Sequence, residues 1–557
     1  MMRSTLDADF DEAMAAVTGP GGQIVVGEDP RGRPIATNLP ATLPAFFDAF
    51  VAVNGAVEGL ISNHERLTFA ELNAWADKLA PALVARGIVK GDRVGIAMRN
   101  CAAWVVTYMA ALKAGAVATL VNGWWQSGEL EHGLRLTEPK LVIADARLAE
   151  RLSAIVGGAW EVVTLPIEKP VGEALAPLLD GAGVGALPEV GPEDDATILF
   201  TSGSTGSAKG ALSTHRAVVT GCYAYAAGLM SLLGVLTKQD RLPKNPPKTL
   251  LTVPLFHVTG EVPVLLNSFV VGRGMVLMHK WDAVEAMKLI ERETVTYFVG
   301  VPTMSLELLN HPDRHHYDLS SLTDISAGGA PRPASHVQRV IDEFPGAQPA
   351  LGYGLTETNA VGASNFWANY VAKPNSTGRA QVPFVELAIF ADGDRPLPPG
   401  SRGEVAIRSA ANIKEYWHNP EATAAALTAD GWFRTGDIGF IDDDGYLFIV
   451  DRKKEIIIRG GENIASSEVE AALYAHEAVG EVAVFAAPDE RLGEVPVAVV
   501  HATEGHFLDE AELRAFLIPR LAAFKVPTRF YFSDEPLPKL GTGKIDRVTL
   551  KAQFAHQ

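Results

Sequence analysis

Ten residues, Thr201-Ser-Gly-Ser-Thr-Gly-Ser-Ala-Lys-Gly210, concentrate the side chains best suited to holding an anion. Glycines let backbone N–H groups approach phosphate oxygens, the hydroxyls of Ser202, Ser204 and Thr205 add donors, and Lys209 adds a positive charge. The segment follows a strand-like run, Thr197 to Phe200, and precedes a long apolar stretch. A Walker A loop requires G-x-x-x-x-G-K-[ST]. Counted from Gly203, the second glycine position holds Ala208 and the position after Lys209 holds Gly210, so two of the four fixed positions fail. The loop is suited to phosphate but is not that of a P-loop NTPase.

Other candidates are separated along the chain. Gly352-Tyr-Gly-Leu-Thr-Glu-Thr358 and Gly431-Trp-Phe-Arg-Thr-Gly-Asp437 each place a carboxylate near glycines and hydroxyls. Taken singly, Glu357 reads as a helix-start acid and Asp437 as a turn residue, while Tyr353 reads equally as a core aromatic at a turn. Lys544, in Gly541-Thr-Gly-Lys544, is by itself an ordinary solvated lysine. His257 reads alternatively as a core histidine satisfied by a carbonyl.

The elements that must position these residues follow from periodicity. Thr68 and Glu71 form a capping box before Leu72, Ala76, Leu79 and Leu83 at helical spacing, with Pro81 interrupting the pattern and Gly87 as a stop. Strand-like runs at Arg93 to Met98, Ala116 to Val121 and Leu141 to Asp145 alternate with helical stretches, as in an α/β fold with a largely parallel sheet. Thr249 to Val253, Met275 to Met278 and Tyr297 to Val301 extend the series. From Pro383 the texture changes to short strands (Val385 to Phe390, Gly403 to Arg408, Tyr446 to Val450) divided by Gly/Pro/Asp turns, which predicts a small β-rich subdomain. After the charged cluster Asp451 to Glu455, about a hundred residues suffice for a separate small α+β domain. The expected division is therefore a large domain at 1–450, a connection at 451–454 and a small domain at 455–557.

Composition narrows the function. The 557 residues are 47% apolar and 20% charged, an ordinary globular balance, and 48 Lys+Arg against 66 Asp+Glu give a net charge of −18. A surface that acidic repels phosphate backbones, so a nucleic-acid partner is not expected. Two distant cysteines, Cys101 and Cys222, support neither a zinc site nor a disulfide framework. Ala217 to Thr237 is uncharged and long enough to span a bilayer, but its glycines and tyrosines read as a buried core helix, and a cytoplasmic protein without a transmembrane segment is expected. The oligomeric state, a homodimer included, stays open.

The segments in order resemble the adenylate-forming superfamily, which includes acyl- and aryl-CoA synthetases, nonribosomal peptide adenylation domains and luciferases. Eight blocks carry the resemblance from about Thr68 to Arg547. They are the Thr201–Gly210 loop, Pro254-Leu-Phe-His257, Ala327-Gly-Gly-Ala-Pro331, Gly352–Thr358, Gly431–Asp437, Asp451-Arg-Lys-Lys-Glu455, Gly460-Gly-Glu-Asn-Ile464 and Pro538–Arg547. Each alone is a weak pattern, but their shared order and spacing are specific.

The resemblance implies a carboxylic acid joined to ATP with release of pyrophosphate, then passed from the acyl-adenylate to the thiol of coenzyme A. A fatty acid is the leading substrate class, with an aryl acid or a short functionalised acid as the alternative and a luciferase-like oxygenase as a third reading. It implies that Thr201, Ser202, Gly203, Ser204, Thr205, Gly206 and Lys209 contact phosphate, with Thr356 as a further phosphate contact and Glu357 as a ligand of Mg2+. Tyr353 and Gly354 would meet adenine against a backbone wall of Gly328, Gly329 and Ala330. Asp437 would accept the ribose hydroxyls, with Arg452 beside ribose and phosphate. Lys544 would bridge carboxylate and α-phosphate oxygens from the small domain. Phe256, His257, Val258, Val301, Gly328 and Gly352, with Val299 and Met304, would line the acyl pocket. Gly460, Gly461, Glu462 and Asn463 would lie along the coenzyme A path, and Lys454 would be the hinge. Ala208 and Ser466 stand where the family often has proline. No aspartate stands beside His257 to hold an ammonium, which favours a plain acid over an amino acid.

Overall fold

Runs of Val, Ile and Leu without polar alternation form strands covered on both faces, and these dominate the architecture. The computed structural model describes residues 4–201, 208–278, 280–329, 332–344, 346–391, 393–453, 455–459, 462–540 and 543–554. A seven-stranded sheet carries the parallel strands Asp195–Thr201, Val117–Leu120, Arg93–Ala97, Leu141–Asp145 and Glu161–Leu165, in that order. Lys209–Thr214 lies antiparallel beside Asp195–Thr201, and the short strand Glu415–Tyr416 completes the sheet on its outer side. A nine-stranded sheet has six parallel strands at its centre: Gln348–Gly354, Asp324–Gly328, Tyr297–Gly300, Lys248–Leu251, Gly274–Leu277 and Glu58–Ile61.

The helix Ala102–Lys113 is buried at every position, as an all-apolar helix must be. Its one charge, Lys113, is held by Asp48 at 2.7 Å and Asp77 at 2.6 Å. The long apolar run becomes the helix His215–Lys238, capped by the Thr214 hydroxyl. It is the one helix among the described residues long and apolar enough to cross a membrane, and 61% of its most apolar window is buried. It packs along the helix Thr5–Thr18, where Ser231 Oγ lies 3.5 Å from Met14 Sδ.

The β-rich subdomain is a four-stranded antiparallel sheet of Glu386–Phe390, Gly403–Arg408, Trp432–Ile441 and Leu447–Arg452. Its last strand runs two residues past the expected end of the large domain, because Asp451 and Arg452 pair with Ile438 and Asp437. The C-terminal unit is a five-stranded sheet with helices such as Ser466–Tyr474 and Glu510–Leu517, around its own core of Val482, Val484, Leu513 and Leu517.

Two local features differ from the sequence reading. The helix Phe69–Ala85 continues through Pro81, because Leu72, Ala76, Leu79 and Leu83 are all fully buried and hold it together. After His257 the chain forms a π-helical turn, Gly260–Leu266, with Pro263 inside it. Proline removes one i→i−4 donor, and a wider turn accommodates that loss.

The capping box is complete: Thr68 Oγ1 accepts the Glu71 N–H at 3.2 Å and Glu71 Oε2 accepts the Thr68 N–H at 2.8 Å. Thr68→Ala is expected to destabilise the large domain by about 1 kcal/mol, whereas Thr68→Ser retains the cap. The midpoint of the first unfolding transition in denaturant measures it.

Candidate active site

Parallel strands end their carboxyl termini on one side of a sheet, and crevices there take ligands. The nine-stranded sheet ends in Val301, Gly328–Gly329 and Gly352–Gly354 at such an edge, facing the four-stranded sheet and the C-terminal unit. A continuous cavity of about 2610 Å³ runs between them. That exceeds the roughly 300–1,000 Å³ of a single small-molecule pocket, so the space has room for more than one small molecule.

Backbone comes close at two glycines. At Gly354 a Cβ would lie 2.1 Å from the Ala360 carbonyl oxygen, so only glycine allows the chain to turn back into Thr356–Thr358. Gly329 has φ +74°, and a Cβ there would meet Lys544 Cε at 3.0 Å and Nζ at 3.2 Å. The small domain's lysine thus lies against the glycine edge of the large domain.

The loop bearing Lys544 is closed by the Leu540 N–H donating to the Lys544 carbonyl at 2.7 Å and the Gly543 N–H donating to the Leu540 carbonyl at 2.8 Å. Lys539 ties it down, reaching Glu307 of the large domain at 3.3 Å and Glu481 of the small one at 2.9 Å. Burial first and the nearby Arg452 charge second lower the Lys544 ammonium to about 8, with Asp437 acting in the opposite direction. His257 is held neutral, pushed down to about 3 by burial and then by Lys544.

Asp437 and Arg452 are cross-strand partners. Arg452 Nε lies 3.1 Å from Asp437 Oδ1, and the Tyr353 hydroxyl donates to Oδ2 at 2.7 Å. The arginine side chain is 59% exposed against 4% for the aspartate, so the cation is the member free to turn toward a ligand. Burial raises the Asp437 carboxyl, opposed first by Arg452 and then by Tyr353.

Glu357 is buried and accepts the Tyr416 hydroxyl at 2.7 Å. Burial raises its carboxyl, while Tyr416, Arg452 and Lys209 act in the opposite direction. Lys209 Nζ sits 4.8 Å from the centre of the Tyr416 ring, a cation–π contact, and pairs across its hairpin with Thr201. Three cations, Lys209, Arg452 and Lys544, therefore face one cavity with two buried carboxylates, a charge pattern suited to a polyphosphate with a hard cation.

Of the acyl-pocket candidates, Phe256, His257, Val258, Val299, Val301, Gly328 and Gly352 are on the cavity wall. Met304 is not on it; it is buried behind, with its Cε 3.5 Å from where a Gly543 Cβ would stand. Glu462 and Asn463 lie on the exposed strand Glu462–Ile464 away from the cavity, so this arrangement brings Lys544 to the site and leaves that strand outside. Ser202, Gly203, Ser204, Thr205, Gly206, Ala330, Lys454, Gly460 and Gly461 lie outside the described residues. Sequence reasoning missed Tyr416, a lone aromatic outside every motif, along with Tyr225 and Tyr297 on the cavity wall. Tyr297 was legible in principle, since alternation places it on the same strand face as Val299 and Val301.

Ser466, at the position often held by proline, uses what proline lacks. Its N–H donates to Asp451 Oδ2 at 2.5 Å and its hydroxyl lies 3.2 Å from the same oxygen, linking the small domain to the last strand of the large one.

Comparison with known proteins agrees with this geometry. Residues 47–417 match the model of the AMP-binding enzyme family, and residues 468–544 match that of the AMP-binding enzyme C-terminal domain. The chain is 35% identical over 521 residues to a long-chain-fatty-acid–CoA ligase of Bacillus subtilis (strain 168), covering 87% of this chain and 90% of the relative. It is 37% identical over 492 residues to a feruloyl-CoA synthase of an Amycolatopsis species, covering 88% and 94%. Among solved structures, an anthranilate CoA ligase in complex with anthranoyl-AMP superimposes with a TM-score of 0.82 at 26% identity, covering 93% of this chain and 98% of that one. With both domains matched in order and their glycine edge, carboxylates and C-terminal lysine around one cavity, the chain belongs to the AMP-binding enzyme family, the adenylate-forming acyl-CoA synthetases.

Proposed function

We propose that this chain is an ATP-dependent acid–CoA ligase in which Lys544 serves the first of two half-reactions. In that step a carboxylate oxygen of the acid bonds to the α-phosphorus of ATP, the bond to the bridging β-oxygen breaks, and pyrophosphate leaves. In the second, the sulfur of coenzyme A bonds to the acyl carbon, the bond to AMP breaks, and the thiol proton passes to water. The observation that carries the reading is Lys544 lying against Gly329 beside Arg452 and Asp437.

Two anions repel as they meet, so positive charge fixed in advance around the α-phosphate favours the transition state. Lys544, Arg452 and Lys209 are assigned that work, with Thr356 adding a hydroxyl donor. Asp437, acceptor-only when ionised, is assigned the ribose hydroxyls. Tyr353 and Gly354 are assigned to the adenine side. Glu357 fits Mg2+: a buried carboxylate oxygen with Thr356 beside it suits a hard ion that takes its remaining ligands from phosphate and water. When bound, that ion would neutralise phosphate charge. No group of three or more His, Cys, Asp and Glu is arranged to hold a metal among the described residues.

The domain boundary is assigned to 451–454. Its support is that the large domain's last strand ends at Arg452, while the small domain's core begins at Ile457. With Lys544 inside and the Glu462–Ile464 strand outside, the second half-reaction requires the small domain to turn, which would carry Glu462 and Asn463 toward the acyl group.

Three outcomes test these assignments. Lys544→Ala is expected to slow pyrophosphate release by about a hundred- to a thousandfold, while thioester formation from supplied acyl-adenylate stays near wild type; equal damage to both removes the assignment. Lys544 is charged below its pKa, so kcat/KM for ATP should fall as pH rises through about 8, by about tenfold per unit for one ionisation in the free enzyme. Lys544→Arg, charged throughout, should lose that limb. Asp437→Ala should raise the KM for ATP by about tenfold or more, as the loss of one charge-assisted hydrogen bond implies, without reordering preference among acids; an unchanged KM in a folded variant sinks it.

A further inference from the structure

The loop that carries Lys544 belongs to the small domain, yet part of what holds it belongs to the large one. On its own side, Glu481 accepts the Leu537 N–H at 2.7 Å and lies 2.9 Å from Lys539 Nζ, and Lys539 bridges to Ile545 across the loop. These contacts travel with the small domain in any arrangement. On the other side stands one face of the helix Pro302–Asn310. Thr303 and Met304 lie four and three residues before Glu307, the spacings that stack side chains on one helix face. Thr303 Oγ1 lies 3.5 Å from the Gly543 carbonyl oxygen, and Met304 Cε stands 3.5 Å from where a Gly543 Cβ would be. Glu307 Oε1 lies 3.3 Å from Lys539 Nζ.

Glu307 is itself fixed. Trp281 Nε1 donates to its other oxygen, Oε2, and the Trp281 ring packs on Phe298 with centroids 5.8 Å apart. The two carboxylate oxygens are thus divided, one held by the large domain and one offered to the small. Burial disfavours the Lys539 ammonium, but Glu481 first and Glu307 after it raise it above its ordinary value, so the pair remains charged. Between Lys539 and Lys544 the loop is closed by the Leu540 and Gly543 N–H groups. Moving one end of so short a closed loop moves the other. A turn of the small domain would take Glu481 along with Lys539 and leave Glu307 behind.

We infer that Glu307 is a positioning residue for adenylation alone: by holding Lys539 it seats the loop that places Lys544 beside Gly329, and it takes no part in thioester formation. The inference rests on the acid–CoA ligase reading and adds to it a residue outside every motif of the sequence.

The test compares the two half-reactions in the full chain. One is pyrophosphate release from ATP with octanoate, palmitate or para-hydroxycinnamate; the other is thioester formation from the matching acyl-adenylate and coenzyme A. Glu307→Gln keeps an acceptor for Trp281 and removes the charge facing Lys539. It should slow pyrophosphate release by about three- to fivefold, the worth of a partly exposed ion pair, and leave thioester formation at or above the wild-type rate. Glu307→Lys, a like charge opposite Lys539, should slow release by about tenfold or more. In Lys539→Met, the Glu307→Gln change should no longer lower the ratio of the two rates, because its partner is already gone. The Glu307 side chain is 42% exposed, so these variants should fold, and an unchanged melting temperature confirms it. Equal slowing of both half-reactions, no change in either, or an effect of Glu307→Gln that persists in the Lys539→Met enzyme overturns the inference and leaves the ligase reading intact. Pyrophosphate release by the unaltered enzyme with none of the acids, with or without coenzyme A, would overturn the ligase reading itself.

Discussion

An ammonium group removed from water next to a guanidinium is unfavourable unless something anionic compensates it, and that constraint organises this molecule. Lys544 sits in such a place, with Asp437 as the nearest compensation and Arg452 competing for the same carboxylate. Burial is the first cause of the lowered Lys544 pKa, with the Arg452 charge adding to it and Asp437 opposing both; a triphosphate would offset the two. The glycine edge, the cross-strand pairing of Asp437 with Arg452 and the docking of the small domain through Lys539 are all needed to assemble it.

The same constraint explains why two domains are required. A lysine fixed permanently among these charges would block the approach of a second substrate to the acyl group. Lys544 is carried on a small domain that meets the large one through Lys539, the Ser466–Asp451 and Ser467–Val450 contacts and Thr303 against Gly543. The stabilisation from Lys539 is modest, since partly exposed ion pairs contribute at most about 1 kcal/mol.

Much of this was legible from residues alone, for identifiable reasons. The strands at Leu141–Asp145 and Gly403–Arg408 were read with their bounds as found, because continuous apolar runs and turn residues delimit them. Lys544, Asp437 and Arg452 were named through the resemblance of their motifs, taken in order, to a known family, since each alone reads as an ordinary solvated or turn residue. Their mutual geometry was not readable: the Asp437–Arg452 pairing depends on a register shift between Ile438 and Gly439, and a one-residue slip reverses every side chain. Pro81 misled because burial of four neighbouring apolar residues outweighs a local penalty. Tyr416 was invisible because a lone aromatic acquires its role only from what tertiary packing puts beside it, here Glu357 and Lys209.

The strand that forms the channel wall separates two kinds of evolutionary change. Side chains facing the channel recur every second residue, so the wall works as a ruler graduated in steps of about 6.6 Å. Exchanging a bulky for a small residue at one graduation resets the depth, and exchanging a phenol for a phenyl ring resets the polarity, with no change in backbone. The charged cluster lies beyond the strand's end and does not feel either exchange. Acid preference and adenylation chemistry are thereby set by separate parts of one strand and its surroundings.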